Sequence, residues 1–478
     1  MNNFNDISAY KDESFRDSIA TVTKEGKRKW IYPVKPQGKL YEIRKILSYI
    51  YLIIFFTLPF IKINGHPILQ FNIIERKFIF FGSVFWPDDF FILAIAMLTM
   101  LVFIILFTVI YGRLFCGWVC PQTIFMEFVF RRIEYWIEGN ASKQILLDKQ
   151  PWNNKKILIK SIKWLIFFAI SFLVANIFLA YIIGIDELFK IISEPVDKHI
   201  IGFISLLLFS TIFFFVFTWF REQVCLIVCP YGRLQGVMLD KNSIVVVYDY
   251  LRGEPRHKFN KNETRSKGNC IDCGLCVRVC PTGIDIRNGT QLECINCTAC
   301  IDACDGIMEK VGLPKKLIRY DSQKGISQNE RKIFTNRTIA YSTVLGLLLV
   351  SLAFLLVGRS NISTKIIRTP GKLFVEENDG NISNLYNIKI INKSYQDVLI
   401  NLIPESNFMK IKMLDKNLIA KAQTKAEGLF FILYPKEKIK KQNTQLKIAI
   451  YYNGMKKEII QTSFLGPIHK NNLIKKQY

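Results

Sequence analysis

Twelve cysteines, all between Cys116 and Cys304, are the side chains of this 478-residue sequence best suited to chemistry. Eight form two runs, Cys270, Cys273, Cys276 and Cys280, then Cys294, Cys297, Cys300 and Cys304, each spaced C-x2-C-x2-C-x3-C. Such tight gaps wrap three thiolates around one face of an iron–sulfur cube, and the fourth ligand comes from the other run. On that pattern one 4Fe-4S cluster takes Cys270, Cys273, Cys276 and Cys304, and a second takes Cys280, Cys294, Cys297 and Cys300. Structural zinc is the competing reading, but zinc sites usually separate two C-x2-C pairs by a longer loop, and a third cysteine at the same spacing exceeds what zinc needs. Pro281 turns the chain away after the first run, and Gly274, Gly283 and Gly289 are expected to relieve crowding beside the clusters.

The other four cysteines form two C-x3-C-P pairs, Cys116 and Cys120, then Cys225 and Cys229. Cysteines at i and i+4 share a helix face, so the pairs are expected to converge as a redox-active or metal-binding group. The candidate occupants are a third iron–sulfur centre, a soft copper ion, or a dithiol that cycles with its disulfide; the bland alternative is four small buried hydrophobes. Gln122, Thr123, Tyr231, Gly232 and Arg233 follow the pairs and could tune such a site. Met97, Met100 and Met126 read as apolar filler. His66, His199, His257 and His469 are scattered and are not taken as ligands, and no glycine-rich nucleotide loop opens a βα unit. Arg252-Gly253-Glu254-Pro255-Arg256 reads as a brace for the cysteine-rich insert, a contact for an acidic partner, or a solvated linker.

Apolar residues make up 50% of the chain, with 38 phenylalanines, and they gather in blocks separated by lysine-rich stretches. Five blocks read as membrane spans, at 46–61, 90–111, 162–184, 200–219 and 339–357, while Phe78 to Trp86 reads as a re-entrant or interfacial segment. The connections at 62–89 and 185–199 carry few basic residues, whereas 113–161 is rich in them, which places the N-terminus and residues 113–161 and 220–338 on the cytoplasmic side. Cysteine placement is a second, unrelated signal: every cysteine lies in a stretch assigned to the reducing side. No apolar region with a cleavage site precedes the first span, which is expected to act as an uncleaved anchor. The net charge of +25 fits a lipid surface. Nucleic acid is disfavoured because the aromatics sit inside the apolar blocks instead of among the basic residues.

The expected organisation is a basic cytoplasmic segment at 1–45, a four-span region at 46–220 with the first C-x3-C-P pair, and a cytoplasmic region at 221–338. That region holds the second pair and a bacterial-type two-cluster ferredoxin insert; the fifth span at 339–357 and an outer domain at 360–478 follow. Alternating runs such as Tyr386 to Ile391, Leu399 to Leu402, Gly428 to Leu433 and Leu446 to Tyr452 predict a β-sandwich for the outer domain.

The ordered set GRLFCGWVCPQTIF from Gly112, VCPYGRLQGVMLD from Val228, VVVYDYLRGEPR from Val245, the eight-cysteine stretch from Cys270, GLPKKLIRY from Gly312 and DGNISNLYNIKIINK from Asp379 resembles the cytochrome cbb3 oxidase accessory proteins CcoG, RdxA and FixG. The resemblance runs from about residue 30 to 450. It implies a bacterial inner-membrane protein with five spans, two 4Fe-4S clusters and a periplasmic immunoglobulin-like domain. It also implies a part in assembling cbb3 oxidase by reducing Cu(II) to Cu(I), with Cys116, Cys120, Cys225 and Cys229 as the candidate copper-reducing group. Partners implied are membrane lipid, oxidase subunits or copper-delivery factors, and an unidentified electron donor. Two other readings stand beside it: a quinol-linked iron–sulfur electron-transfer subunit, and a scaffold whose clusters only stabilise the fold.

Overall fold

The computed structural model describes residues 20–467, apart from 24, 64, 74–75, 260–267, 331–332, 372, 415–417 and 440; His469 lies outside the described residues. Two compact units divide the chain, one of Met1–Ile61 with Ile92–Ala353 and one of Lys62–Phe91 with Phe354–Tyr478. Among the described residues five helices are long and apolar enough to cross a membrane: Lys39–Phe60, Pro87–Tyr111, Asn154–Ile183, Ile200–Phe220 and Asn336–Val357. Thr99 and Thr108 satisfy their hydroxyls within the second helix by donating to the carbonyls of Ile95 and Ile104, at 2.7 and 2.8 Å.

Two of these helices start well before the apolar runs that announce them. The first begins at Lys39 because its free N-terminal amides are capped from far along the chain: Asp302 accepts from Leu40 N at 3.2 Å and Tyr41 N at 2.7 Å. The third begins at Asn154, where the Asn153 side chain accepts from Lys156 N at 2.8 Å. Its first turns carry Lys156, Lys160 and Lys163, all buried. Lys160 meets Glu138 at 2.8 Å and Asp148 at 2.6 Å, and Lys163 meets Glu138 at 2.9 Å, which makes burial of these ammonium groups tolerable.

The cysteine-rich insert hangs from a two-stranded antiparallel bracket, Val245–Tyr248 with Ile318–Asp321, whose inner residues are almost fully buried. Between the strands lie short helices at Leu275–Arg278 and Ala299–Lys310. The two halves repeat a backbone feature: Asp272 and Asn296, and then Gly274 and Thr298, hold matching offsets and all four have positive φ, at 50°, 54°, 64° and 65°. A β-branched threonine seldom adopts that conformation. Gly274 is therefore needed for backbone freedom and not for crowding, because a Cβ there would meet nothing within 4 Å.

In the second unit the C-terminal segment forms two antiparallel sheets. One runs Lys410–Met413, Lys425–Pro435, Asn381–Asn392, Ile362–Arg368, with Val375–Glu376 also paired to Asn381–Asn392; the other runs Leu418–Ala420, Val398–Pro404, Asn443–Tyr452, Met455–Leu465. Alternation along Asn381–Asn392 sends Tyr386, Ile388 and Ile390 into a core shared with Phe430, Ile432, Ile448, Ile450 and Phe464. Each fully buried residue of this kind is worth about 1.5–3 kcal/mol. Residues 78–86, expected as a re-entrant or interfacial segment, instead supply two strands of a three-stranded sheet, Leu69–Asn72, Lys77–Phe80 and Ser83–Phe85. This small sheet sits against the sandwich: Ile79, Val84 and Trp86 pack with Ile391, and buried Asp89 pairs with Arg359 at 2.8 Å and Lys393 at 2.6 Å. The backbone hydrogen bonds among these strands supply the pairing that the apolar run Phe78 to Phe81 does not announce.

Candidate functional site

The eight ferredoxin-type cysteines line two hollows. One is walled by Cys270, Cys273, Cys276 and Cys304 together with Tyr248 and Arg287. The other is walled by Cys280, Cys294, Cys297 and Cys300, with Cys276 at the shared wall. Each hollow thus draws four sulfurs from both runs, the donor set and crossed arrangement a 4Fe-4S cube takes. Burial pushes the Cys276, Cys294 and Cys304 thiols up to about 12 and Cys297 to about 11, so these ligands stay protonated until a metal displaces the proton. Arg287 beside the first hollow is paired with Asp285 at 2.7 Å and Asp272 at 2.5 Å. Asn269 N donates to Arg252 O at 2.9 Å and Cys270 N to Gly253 O at 3.2 Å, so the Arg252–Arg256 stretch holds the start of the first run.

The two C-x3-C-P pairs do not sit on uninterrupted helices as their spacing suggested. The helix Leu114–Trp118 stops, and Cys120 caps a new turn that begins at Pro121; Cys229 likewise precedes the helix Pro230–Met238. Proline lacks an amide proton and is accommodated at the first helical position, so each C-P step restarts the helix. All four cysteines nevertheless lie within electrostatic reach of one another. Burial raises Cys116 to about 11 and Cys225 to about 12, with neighbouring sulfurs adding to the effect and Arg113 opposing it. Cys116 Sγ donates to Gln235 Oε1 at 3.1 Å, and the Gln235 amide donates to Thr108 Oγ1 at 3.2 Å. Among the described residues no group of three or more His, Cys, Asp or Glu side chains has the mutual spacing of a metal site. The geometry of the four cysteines therefore makes no case for copper over the other occupants.

What the cysteine pattern left unannounced is the contact between the two groups. Gly117, inside the first C-x3-C-P pair, lies so close to the second hollow that a Cβ would come 2.4 Å from Ile295 O and 3.0 Å from Cys297 Cα. Trp118 Nε1 donates to Tyr320 Oη at 3.0 Å and to Asn296 O at 3.3 Å, and Arg113 donates to Leu292 O. Cys116, Ile295 and Cys297 share one buried cluster. Buried Arg44, from the first membrane helix, donates to both Gly117 O at 3.0 Å and Cys297 O at 2.7 Å. Arg44 is the sixth residue of the helix that begins at Lys39, and its partners are too distant in sequence for any local pattern to reveal them.

Helices long and apolar enough to span a membrane, an internal iron–sulfur-binding region and a C-terminal β domain define the class: a membrane iron–sulfur protein. Comparison with known proteins narrows it. Residues 220–323 match the family model of a 4Fe-4S dicluster domain, 93–144 that of a 4Fe-4S binding domain, and 352–467 that of the IG-like fold at the C-terminus of FixG. The nitrogen fixation protein FixG of Rhizobium meliloti is 32% identical over 80% of this chain and 79% of its own. Proteins RdxA and RdxB of Cereibacter sphaeroides are 32% and 33% identical, each over 77% of this chain and 80% of theirs. The chain belongs to the CcoG/RdxA/FixG family. A crystal structure of a FixG-related protein from Vibrio parahaemolyticus covers 23% of this chain and all of that one, at 16% identity and a TM-score of 0.21.

Proposed function

We propose that the chain is an assembly factor for a cbb3-type oxidase, acting in the inner membrane by delivering single electrons to Cu(II) held at Cys116, Cys120, Cys225 and Cys229. The observation that carries this reading is the direct packing of Gly117 on the Ile295–Cys297 backbone, which joins a four-cysteine hollow to the four membrane-side cysteines. Two 4Fe-4S clusters, held by the crossed sets of four cysteines, would supply one-electron transfer with little rearrangement. The protein's own contribution is positional: Arg44, Trp118 and Arg113 hold the copper-side loop against the Leu292–Cys297 loop, and Cys116, Ile295 and Cys297 are buried where the two meet. Thiolate is a soft ligand that favours Cu(I), so a copper ion reduced by one electron there is also retained there until handed on. The cysteine-rich region faces the cytoplasm and the β-sandwich the periplasm on this reading, and copper-delivery factors or oxidase subunits receive the product.

Anaerobic Cu(II) reduction tests it, by purified, cluster-loaded protein whose clusters have first been reduced and freed of excess reductant, so that each Cu(I) trapped by a chelator is matched by one cluster reoxidised. Reduction is expected in the parent and lost when Cys116, Cys120, Cys225 and Cys229 are replaced by serine while the cluster EPR signals persist. No reduction in the parent would sink the copper reading. A quinol-linked reading has one observation in its favour: a cavity of about 440 Å3 at the ends of the third and fourth spans, walled by Trp30, Trp152, Trp164, Trp219 and buried Glu134 and Arg221. Cluster reduction by quinol in protein that reduces no copper would support it.

A further inference from the structure

Among the described residues Arg44, like Arg113, is a buried arginine beside the cysteines that bonds to backbone carbonyl oxygen and to no carboxylate, and Arg44 is the one that reaches Cys297 itself. It is 3% exposed, and two of its guanidinium nitrogens are spent on carbonyls, those of Gly117 and Cys297. The remaining nitrogen, Nη2, is buried without a hydrogen-bond partner. No carboxylate forms an ion pair with Arg44 among the described residues, although Asp302 lies within electrostatic reach of it, and its charge acts on the Cys297 thiol. Arg287 at the other hollow presents the opposite case, because Asp285 and Asp272 neutralise it at 2.7 and 2.5 Å. Carbonyl oxygens offset part of a buried cation's desolvation but none of its net charge.

We infer that Arg44 is a positioning residue that makes the hollow of Cys280, Cys294, Cys297 and Cys300 the more readily reduced of the two and clamps it against the loop of Cys116 and Cys120. The inference rests on the reading that each hollow holds a 4Fe-4S cluster. Reduction adds one negative charge to a cluster, and a buried cation with no carboxylate in contact stabilises that charge more than one in contact with two carboxylates does. The asymmetry gives the electron path a direction. The set that includes solvent-exposed Cys273 is the entry, and the set under Arg44 is the exit toward the membrane-side cysteines.

The test is an anaerobic, EPR-monitored redox titration of the purified full-length protein, with iron content measured in parallel. Arg44→Gln is expected to lower the reduced-to-oxidised ratio of one cluster about tenfold at a fixed potential and leave the other unchanged. Arg44→Lys, which keeps the charge and loses the two-carbonyl fork, is expected to restore most of that ratio. Asp285→Asn, which unmasks Arg287, is expected to raise the ratio of the other cluster. Arg44→Gln shifting neither signal or both equally, or Arg44→Lys behaving like Arg44→Gln, would show a purely structural clamp and overturn the inference. Should Arg44→Gln fail to retain iron, Arg44→Lys and Asp285→Asn decide it, since both moving the same signal contradicts two differently charged hollows. A parent protein without cluster signals would overturn the cluster reading itself, whereas intact but unshifted signals overturn this inference alone.

Discussion

Cys280 and Cys304 each close a hollow built mainly by the other run, so replacing them one at a time separates the two sites. Cys304→Ser should lose the cluster of Cys270, Cys273 and Cys276, Cys280→Ser the cluster of Cys294, Cys297 and Cys300, and each should retain about half the iron. Iron analysis with EPR on both variants checks this; loss of both clusters in either would mean that the sites do not form independently. Gly117 gives a second residue-level expectation. An alanine Cβ there would come 2.4 Å from Ile295 O, and that contact is backbone, which cannot swing aside. Gly117→Ala should cost about 1–3 kcal/mol and make Cys116 react faster with an alkylating reagent. At this scale the sequence was informative for the thiols, whose spacing is itself the ligand geometry. It was silent on Arg44, because the carbonyls it binds are 73 and 253 residues away.

Between elements, buried charges do work that apolar periodicity cannot foretell. Glu134, on the short helix Arg131–Ile137, accepts both Arg221 amine hydrogen bonds, at 2.8 and 2.7 Å. Burial by itself would raise the Glu134 carboxyl, but the charges of Arg221 and Lys163 and the hydrogen bonds from Arg221 outweigh it and hold the group at about 2. A carboxyl depressed from 4.5 in this way stabilises the fold fully above pH 4.5, and that contribution is lost as pH falls from 4.5 toward 2. Thermal melts in detergent should therefore show a drop across that window that is absent in Glu134→Gln. The same variant leaves buried Arg221 with only the longer pairing to Glu222, at 3.7 Å, and should lower the melting temperature at neutral pH. An unchanged melting temperature would show the pair to be solvated. The same logic explains the early starts of the first and third membrane helices. Asp302 caps the first from the insert, and acids on neighbouring segments neutralise the lysines of the third.

For the whole molecule, the confinement of all cysteines to residues 116–304 is the lever for testing sidedness. A cysteine introduced at exposed Asn407 in the sandwich should react with a membrane-impermeant maleimide in intact cells. A cysteine introduced at exposed Glu309, outside the proposed cluster ligands, should react only after permeabilisation. Its labelling in intact cells would invert the proposed topology and place the iron–sulfur region outside. The pairing of Asp89 with Arg359 and Lys393 belongs to this scale too, since it fastens residues 69–85 to the sandwich within one compact unit.

The sequence by itself determined the parts governed by short-range rules. Cysteine spacing specified the two four-sulfur sets, long apolar runs specified five membrane-length helices, and period-two alternation specified the C-terminal strands. Only the tertiary structure decided how those parts meet. Phe78 to Trp86 became sheet because its backbone pairs with Leu69–Asn72 and packs under Ile391, partners that no local pattern reveals. The C-x3-C-P pairs broke from helical register at their prolines and still came within electrostatic reach of one another, because two separate chain segments converge there. Gly117, Arg44 and Asp302 acquire their roles from residues 73 to 262 positions away, and contacts at such separations depend on the packing of the whole unit.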